Sequence, residues 1–252
     1  EKPKSPKKEP TPEPEKPKKP APKKQTPETK DADQVEFLIS AGLRNIWLVG
    51  PAGCGKTTIC QHVGDNMELP VTVIPCGAGT SATTFLGYKY PERESTPFVS
   101  AFSQPGIIVL DEFTALEAQV AQIVNGALAN NELSATTGTF KRHPECVIIA
   151  TSNTFGHGAD RMYVSNNQLD SSTIDRFACG VLQMDYSHEY EKQYDSEVVT
   201  YVKRLRDVID RNGLRKIAST RSVINACLLK EAGGEWKNAL TANWTTDEKA
   251  LV

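Results

Sequence analysis

The chain has 252 residues, 38% hydrophobic and 24% charged, with 29 Lys and Arg against 31 Asp and Glu. That length suits one large domain or one with a small companion. No apolar run approaches the ~20 residues that a membrane-spanning helix needs, and no secretory signal opens the chain, so a cytoplasmic protein is expected. The averages conceal two polymers. Residues 1–30 hold ten Lys, five Glu and nine Pro, with Ala21 as the sole aliphatic side chain. Nothing there offsets the entropy of ordering, which predicts an extended, disordered linker. It carries the excess of positive charge. Residues 31–252 hold 19 basic and 26 acidic side chains. Such an acidic body argues against a surface that coats nucleic acid, because phosphate binding rests on Lys and Arg. The chain starts at Glu1, inside the linker, and is expected to be part of something longer.

In chain order, residues 31–45 space Val35, Leu38 and Ile39 as a short helix. Residues 46–50 (IWLVG) form an apolar run of the kind that a parallel sheet covers on both faces. A glycine-rich turn and a helix follow, then strand 71–76 and a long Gly/Ser/Thr/Pro-rich connection over 77–106. Residues 107–112 (IIVLDE) read as a buried strand ending in two acids. A helix is expected over 114–130 with Thr114 as its N-cap, a hairpin over 132–142, and strands at 147–153 and 179–185. From 187 to 252 the pattern is helical and charged. Strands alternating with helices or long crossovers predict an α/β fold with a parallel five-stranded sheet. The divisions are then a linker (1–30), an α/β domain (31–186) and a small α-helical lid (187–252). Six dispersed cysteines without a CxxC pair read as reduced core thiols. The four scattered histidines show no metal-ligand spacing.

The strongest chemical signal is GPAGCGKT at 50–57, a full G-x-x-x-x-G-K-[ST] pattern between a strand and a helix. Gly50, Pro51, Ala52, Gly53, Cys54, Gly55, Lys56, Thr57 and Thr58 are therefore candidate nucleotide-binding residues. Gly53 and Gly55 let backbone N–H groups turn inward around phosphates. Lys56 supplies a mobile positive charge, and Thr57 offers a hydroxyl to Mg²⁺. Asp111 would hold the same Mg²⁺ through water, and Glu112 would act as general base on the attacking water. That second acid separates an NTP hydrolase from a small-molecule kinase. Asn153, at the tip of its strand, either orients that water or closes an Asx turn. Arg176 is a lone cation among acids and hydroxyls, and its ordinary reading is a surface salt bridge with Asp170 or Asp175. Arg221 stands in the first turn of a helix, where the dipole disfavours a cation, so an anionic partner is expected: phosphate or carboxylate.

In that order the five signals resemble an AAA+ ATPase over residues 31–235, with Walker A at 50–57, Walker B at 107–112, sensor 1 at Asn153, an arginine finger at Arg176 and sensor 2 at Arg221. ATSNTFGHGAD (150–160), NNQLDSSTIDRF (166–177) and STRSVINA (219–226) are similar to the MoxR branch, especially its CobS, CbbQ and NorQ types. The resemblance implies ATP and Mg²⁺ as ligands and a ring, usually a hexamer, in which Arg176 reaches the neighbouring subunit's nucleotide. It implies a client protein to be remodelled, in this branch one with a von Willebrand A domain. Insertions at 77–104 and 132–142 would face a pore or partner, with Tyr88 and Tyr90 as possible grips, although packing is the expected role of both. The alternative is a nucleic-acid motor whose pore residues are Lys89, Arg93, Lys141 and Arg142.

Overall fold

The computed structural model describes residues 30–88 and 94–252. The expected linker therefore lies outside the described residues, Lys30 apart, as do Lys89, Tyr90 and Arg93. Helix α1 (Lys30–Ser40) leads into strand β1 (Asn45–Val49), helix α2 (Lys56–Asn66) and strand β2 (Val71–Pro75). The connection that follows contains two short helices, α3 (Ala82–Leu86) and α4 (Pro97–Phe102). Strand β3 (Gly106–Asp111) passes through a 3-10 turn (Phe113–Ala115) into α5 (Ala118–Asn130), the hairpin β4 (Glu132–Ala135) and β5 (Gly138–Lys141), and β6 (Cys146–Ser152). A long loop then reaches α6 (Ser171–Asp175) and β7 (Val181–Gln183). Helices α7 (His188–Glu191), α8 (Ser196–Asn212), α9 (Thr220–Glu231), α10 (Trp236–Leu240) and α11 (Thr246–Lys249) complete the chain. None of the described helices is long and apolar enough to cross a membrane.

The main sheet is parallel, with strand order β2-β3-β6-β1-β7. Its inner strands β1, β3 and β6 are apolar at successive positions because each face has its own core. Alternate side chains point to opposite faces. Trp47, Ile108, Leu110 and Ile148 pack with Phe98, Phe102, Phe113 and Phe177 on one side. Ile46, Leu48, Val109 and Ile149 pack on the other against Val35 of α1 and Ile59 and Val63 of α2.

Three expectations change. Thr114 does not cap α5: it is fully buried in the 3-10 turn, and Glu117 holds the N-cap position. Its hydroxyl instead donates to Asn166 Oδ1 at 2.9 Å. Tyr88 does not pack; it is 60% exposed. Of the cysteines, five are buried, but Cys179 is exposed.

The C-terminal helices share a third core. Val198, Val202, Leu205 and Ile209 of α8 lie at three- and four-residue spacing and meet Val223, Ala226 and Cys227 of α9 and the indole of Trp236. Helix α8 is held at both ends, by the Asp195 side chain on the amides of Glu197 and Val198 and by Gly213 in the left-handed conformation. One ion pair ties the bundle together. Glu191, 1% exposed, accepts both arms of the Arg206 guanidinium (2.8 and 2.6 Å) and the Thr220 hydroxyl (2.6 Å). Burial alone would raise its pKa, but the bonds from Arg206 and Thr220 prevail and hold it below the ordinary value.

A depressed carboxyl pKa contributes stability that is fully present above the ordinary glutamate value of 4.5 and is lost as pH falls through the depressed one. Urea unfolding across that acid range should therefore show a loss of stability in the wild type that Glu191→Gln lacks. Arg206→Met leaves Glu191 buried without its partner and should cost about 3–5 kcal/mol at neutral pH.

Candidate active site

The site forms where β1, β3 and β6 end. Strand β6 lies between the other two, with Val49 level with Ser152 and Leu110 level with Ala150. The residues that follow all three strands thus emerge together on the C-terminal edge of the sheet, where open α/β sheets bind ligands.

The chain leaves β1 at Gly50, where a Cβ would stand 2.5 Å from the carbonyl oxygen of Met184. Gly53 and Gly55 have φ of 74° and 100°, values that side chains other than glycine's rarely adopt. Between them Cys54 is buried, and burial pushes its thiol up, so it packs rather than ionises. Helix α2 begins at Lys56, and the free N–H groups of a helix's first turn favour an anion. The Lys56 ammonium donates to the carbonyls of Gly50 and Pro51 (2.8 and 3.0 Å) and to Asn153 Oδ1 (2.9 Å). Burial lowers its pKa, against the opposing influence of Cys54, Asp111 and Glu112.

Asp111 Oδ1 accepts hydroxyls from two directions, Thr57 at 2.9 Å and Thr151 at 2.6 Å. Thr151, fully buried on β6, also accepts the Glu112 amide at 3.2 Å. Glu112 itself is exposed and left-handed, with φ 59°. Strain of this kind, about 1–2 kcal/mol for a non-glycine residue, gathers at functional ends of strands. Asn153 is placed by Ser152, whose hydroxyl accepts from the Trp47 indole (2.8 Å) and donates to the Thr154 carbonyl (2.6 Å).

Lys56, Thr57, Asp111, Glu112, Asn153 and Arg221 line one cleft of about 170 Å³. Arg221 comes from the C-terminal helices because Gly53 lets α9 approach: a Cβ there would lie 2.7 Å from the Ser219 hydroxyl. Among the described residues no ion pair joins Arg221 to a carboxylate. A second cleft of about 170 Å³ shares Gly53, Thr58 and Arg221 and adds Ile59, Tyr190 and Ile224, an apolar lining suited to a flat base. Ala52 is clasped from outside: its amide donates to Tyr163 Oη at 3.0 Å, and its carbonyl accepts from Tyr186 Oη at 3.2 Å. Thr57 and Asp111 offer hydroxyl and carboxylate oxygens, the hard donors that Mg²⁺ prefers.

Arg176 is the exception. It is exposed at the end of α6, and its Nε donates to Asn125 Oδ1 at 3.4 Å. It lines neither cleft. Asp170 caps α6 through the Ser172 amide, and among the described residues neither Asp170 nor Asp175 makes an ion pair with Arg176.

Several contributors carry no signal of their own in the sequence. Thr151 lies in the stretch that resembles the MoxR branch, but its bond to Asp111 depends on strand order. Tyr163 meets a loop 111 residues earlier in the chain. Asn166 and Asn167 hold the turn behind Glu112, the first through Thr114 and the second through the carbonyls of Ala115 (3.3 Å) and Leu116 (2.9 Å).

A phosphate loop after β1, paired acids at the end of β3 and an amide after the intervening β6 define the fold of the P-loop AAA+ ATPases. Residues 45–177, just over half of the chain, match the AAA domain of the dynein-related subfamily, and the chain belongs to that family. It is 23% identical over 204 residues to an uncharacterized protein of Staphylococcus epidermidis, covering 71% of this chain and 74% of that one. The denitrification regulatory protein NirQ of Stutzerimonas stutzeri is 24% identical over 208 residues, 75% of this chain and 72% of its own. Among solved structures, NtrX from Brucella abortus in complex with ATP aligns with a TM-score of 0.50 at 14% identity, a likeness of fold. The alignment covers 73% of this chain and 42% of the NtrX chain, so this chain spans less than half of that protein.

Thr151→Val removes the hydroxyl that serves both Asp111 and Glu112 and leaves the Glu112 amide without its acceptor. ATP turnover should fall about tenfold, the equivalent of one hydrogen bond, while Thr151→Ser should retain it. Steady-state phosphate release from the two purified variants checks this.

Proposed function

We propose that this chain hydrolyses ATP with Mg²⁺ in a ring of identical subunits, as a MoxR-like ATPase that remodels a partner protein. The observation that carries this reading is a division of the motif residues. Lys56, Thr57, Asp111, Glu112, Asn153 and Arg221 share one cleft, whereas Arg176 stands exposed outside it. A cleft that gathers its acids without Arg176 is the arrangement expected when a second subunit supplies that arginine.

In this mechanism the loop amides and the α2 N-terminus hold the phosphates, and Lys56 exchanges its contacts with Gly50 and Pro51 for β- and γ-phosphate oxygens. Thr57 and Asp111 would hold Mg²⁺, which when bound neutralises charge on those oxygens. Asn153 orients a water for in-line attack on the γ-phosphorus, and Glu112 accepts its proton as the bond to the bridging oxygen breaks and ADP leaves. The neighbour's Arg176 offsets the charge that develops. Arg221, on the lid and in its own chain's cleft, couples nucleotide state to lid position. The finer CobS, CbbQ or NorQ assignment, a hexameric ring and a von Willebrand A-domain client extend this proposal on the strength of the motif resemblance. The nucleic-acid alternative is weakened at Arg142, whose guanidinium is engaged by Asn45, Arg44 and Cys146 rather than offered to a pore.

Specific ATPase activity should rise with protein concentration as the ring assembles. Glu112→Gln should keep ATP binding and lose turnover, and Arg176→Ala should lose turnover by about 10³-fold. Activity independent of concentration together with a silent Arg176→Ala would refute the ring. Salt-dependent stimulation by DNA would favour the motor.

A further inference from the structure

Arg176 is held at three atoms: its amide donates to the Thr173 carbonyl at 3.3 Å at the end of α6, and the other two holds lead to the hairpin β4–β5. Its side chain meets Asn125 of α5, the helix that runs directly into β4. Its main-chain carbonyl accepts from Asn45 Nδ2 at 3.0 Å, and Asn45 Oδ1 in turn accepts from Arg142 at 2.7 Å. Arg142 immediately follows β5, and its amide closes the base of the hairpin on the Asn131 carbonyl at 2.8 Å. The rest of its guanidinium is fixed as well, by the carbonyls of Arg44 and Cys146. Planar and held at three points, it has little freedom, so Asn45 is presented to Arg176 in one orientation. An ammonium could not reproduce that fork.

We propose that Asn45 and Arg142 are positioning residues for Arg176, setting the arginine that completes the neighbouring subunit's site from the base of the β4–β5 hairpin. This rests on the reading of Arg176 as an arginine acting in trans. Asn45 begins β1, at the end of the sheet opposite the phosphate loop, so it acts on its own subunit's nucleotide only at a distance. What it touches is the turn between α6 and β7, where the Arg176 main chain sits. Arginine side chains are long and flexible, and fixing the main chain at their root narrows the arc over which the guanidinium can search. A transition-state contact is sensitive to that arc, because misplacement by about 1 Å costs on the order of 10²-fold.

The discriminating variant is Asn45→Asp, which keeps the acceptor for Arg142 but loses the N–H donated to the Arg176 carbonyl. Arg142→Lys is the second variant; it retains the charge and the main-chain bond that closes the hairpin. Each is made in the full chain, alone and combined with Arg176→Ala, and ATP turnover is followed with radiolabelled ATP, alongside ATP affinity and thermal melting. The expected result is a kcat about tenfold lower for each single variant, with KM for ATP unchanged in both and melting temperature unchanged in Asn45→Asp; Arg142→Lys also gives up bonds to the Arg44 and Cys146 carbonyls and melts lower. In the Arg176→Ala background the same substitutions should change kcat by less than about twofold, because residues acting through one group do not add. Full additivity, a loss that appears in KM for either variant, or a lower melting temperature in Asn45→Asp would overturn the proposal in favour of a purely structural role. So would wild-type kcat in both single variants while Arg176→Ala is costly. A silent Arg176→Ala would overturn the trans arginine itself, and this inference with it.

Discussion

The site depends on one oxygen atom. Asp111 Oδ1 receives the Thr57 hydroxyl from the helix after β1 and the Thr151 hydroxyl from β6, so three neighbouring strand ends converge on a single acceptor. The constraint behind it is topological. With β6 inserted between β1 and β3, the phosphate loop and the acids are held apart by one strand, and the gap is occupied by Thr151 and Asn153. Had β1 and β3 been neighbours, the acids would crowd the loop and no side chain would stand between them to orient a water.

The lid is joined to this edge through a continuous set of contacts. Glu191, Arg206 and Thr220 lock α7, α8 and α9 together. Arg206 also stacks 4.0 Å from the Tyr186 ring centroid, and Tyr186 reaches the Ala52 carbonyl. The ion pair is therefore both a core element of the lid and the footing of the tyrosine that touches the phosphate loop. Nucleotide binding at Gly53 and Arg221 would act on the same unit from the other side, because α9 starts between them. Removing one partner of such a buried pair is costly because the other charge is left buried without compensation.

Much of this could be read along the chain. Continuous apolar runs marked β1, β3 and β6 because both faces of the sheet are covered, and the phosphate loop was legible because its glycines answer a local backbone demand. The hairpin was legible from its alternation and Gly138. Local pattern failed where a side chain had a distant partner. Thr114 has the chemistry of an N-cap, but burial beside Asn166 gives its hydroxyl a different use. Arg142 looks like an available cation until Asn45 and two carbonyls surround it. Tyr88 looks like a packing aromatic and is exposed.

Sequence alone determined the covalent grammar of the site: which residues follow each strand, where glycine permits a left-handed turn, and which acids end an apolar run. These are short-range properties, set by φ/ψ sterics and by hydrophobic period over a few residues. Tertiary structure alone decided which strand ends lie side by side, and hence that Thr151 serves Asp111, that Tyr163 clasps Ala52, that Arg221 joins the cleft and that Arg176 does not. Those relations span tens to more than a hundred residues, and they arise only when the packing of two cores fixes the strand order. No local preference encodes a hydrogen bond whose partners meet for that reason.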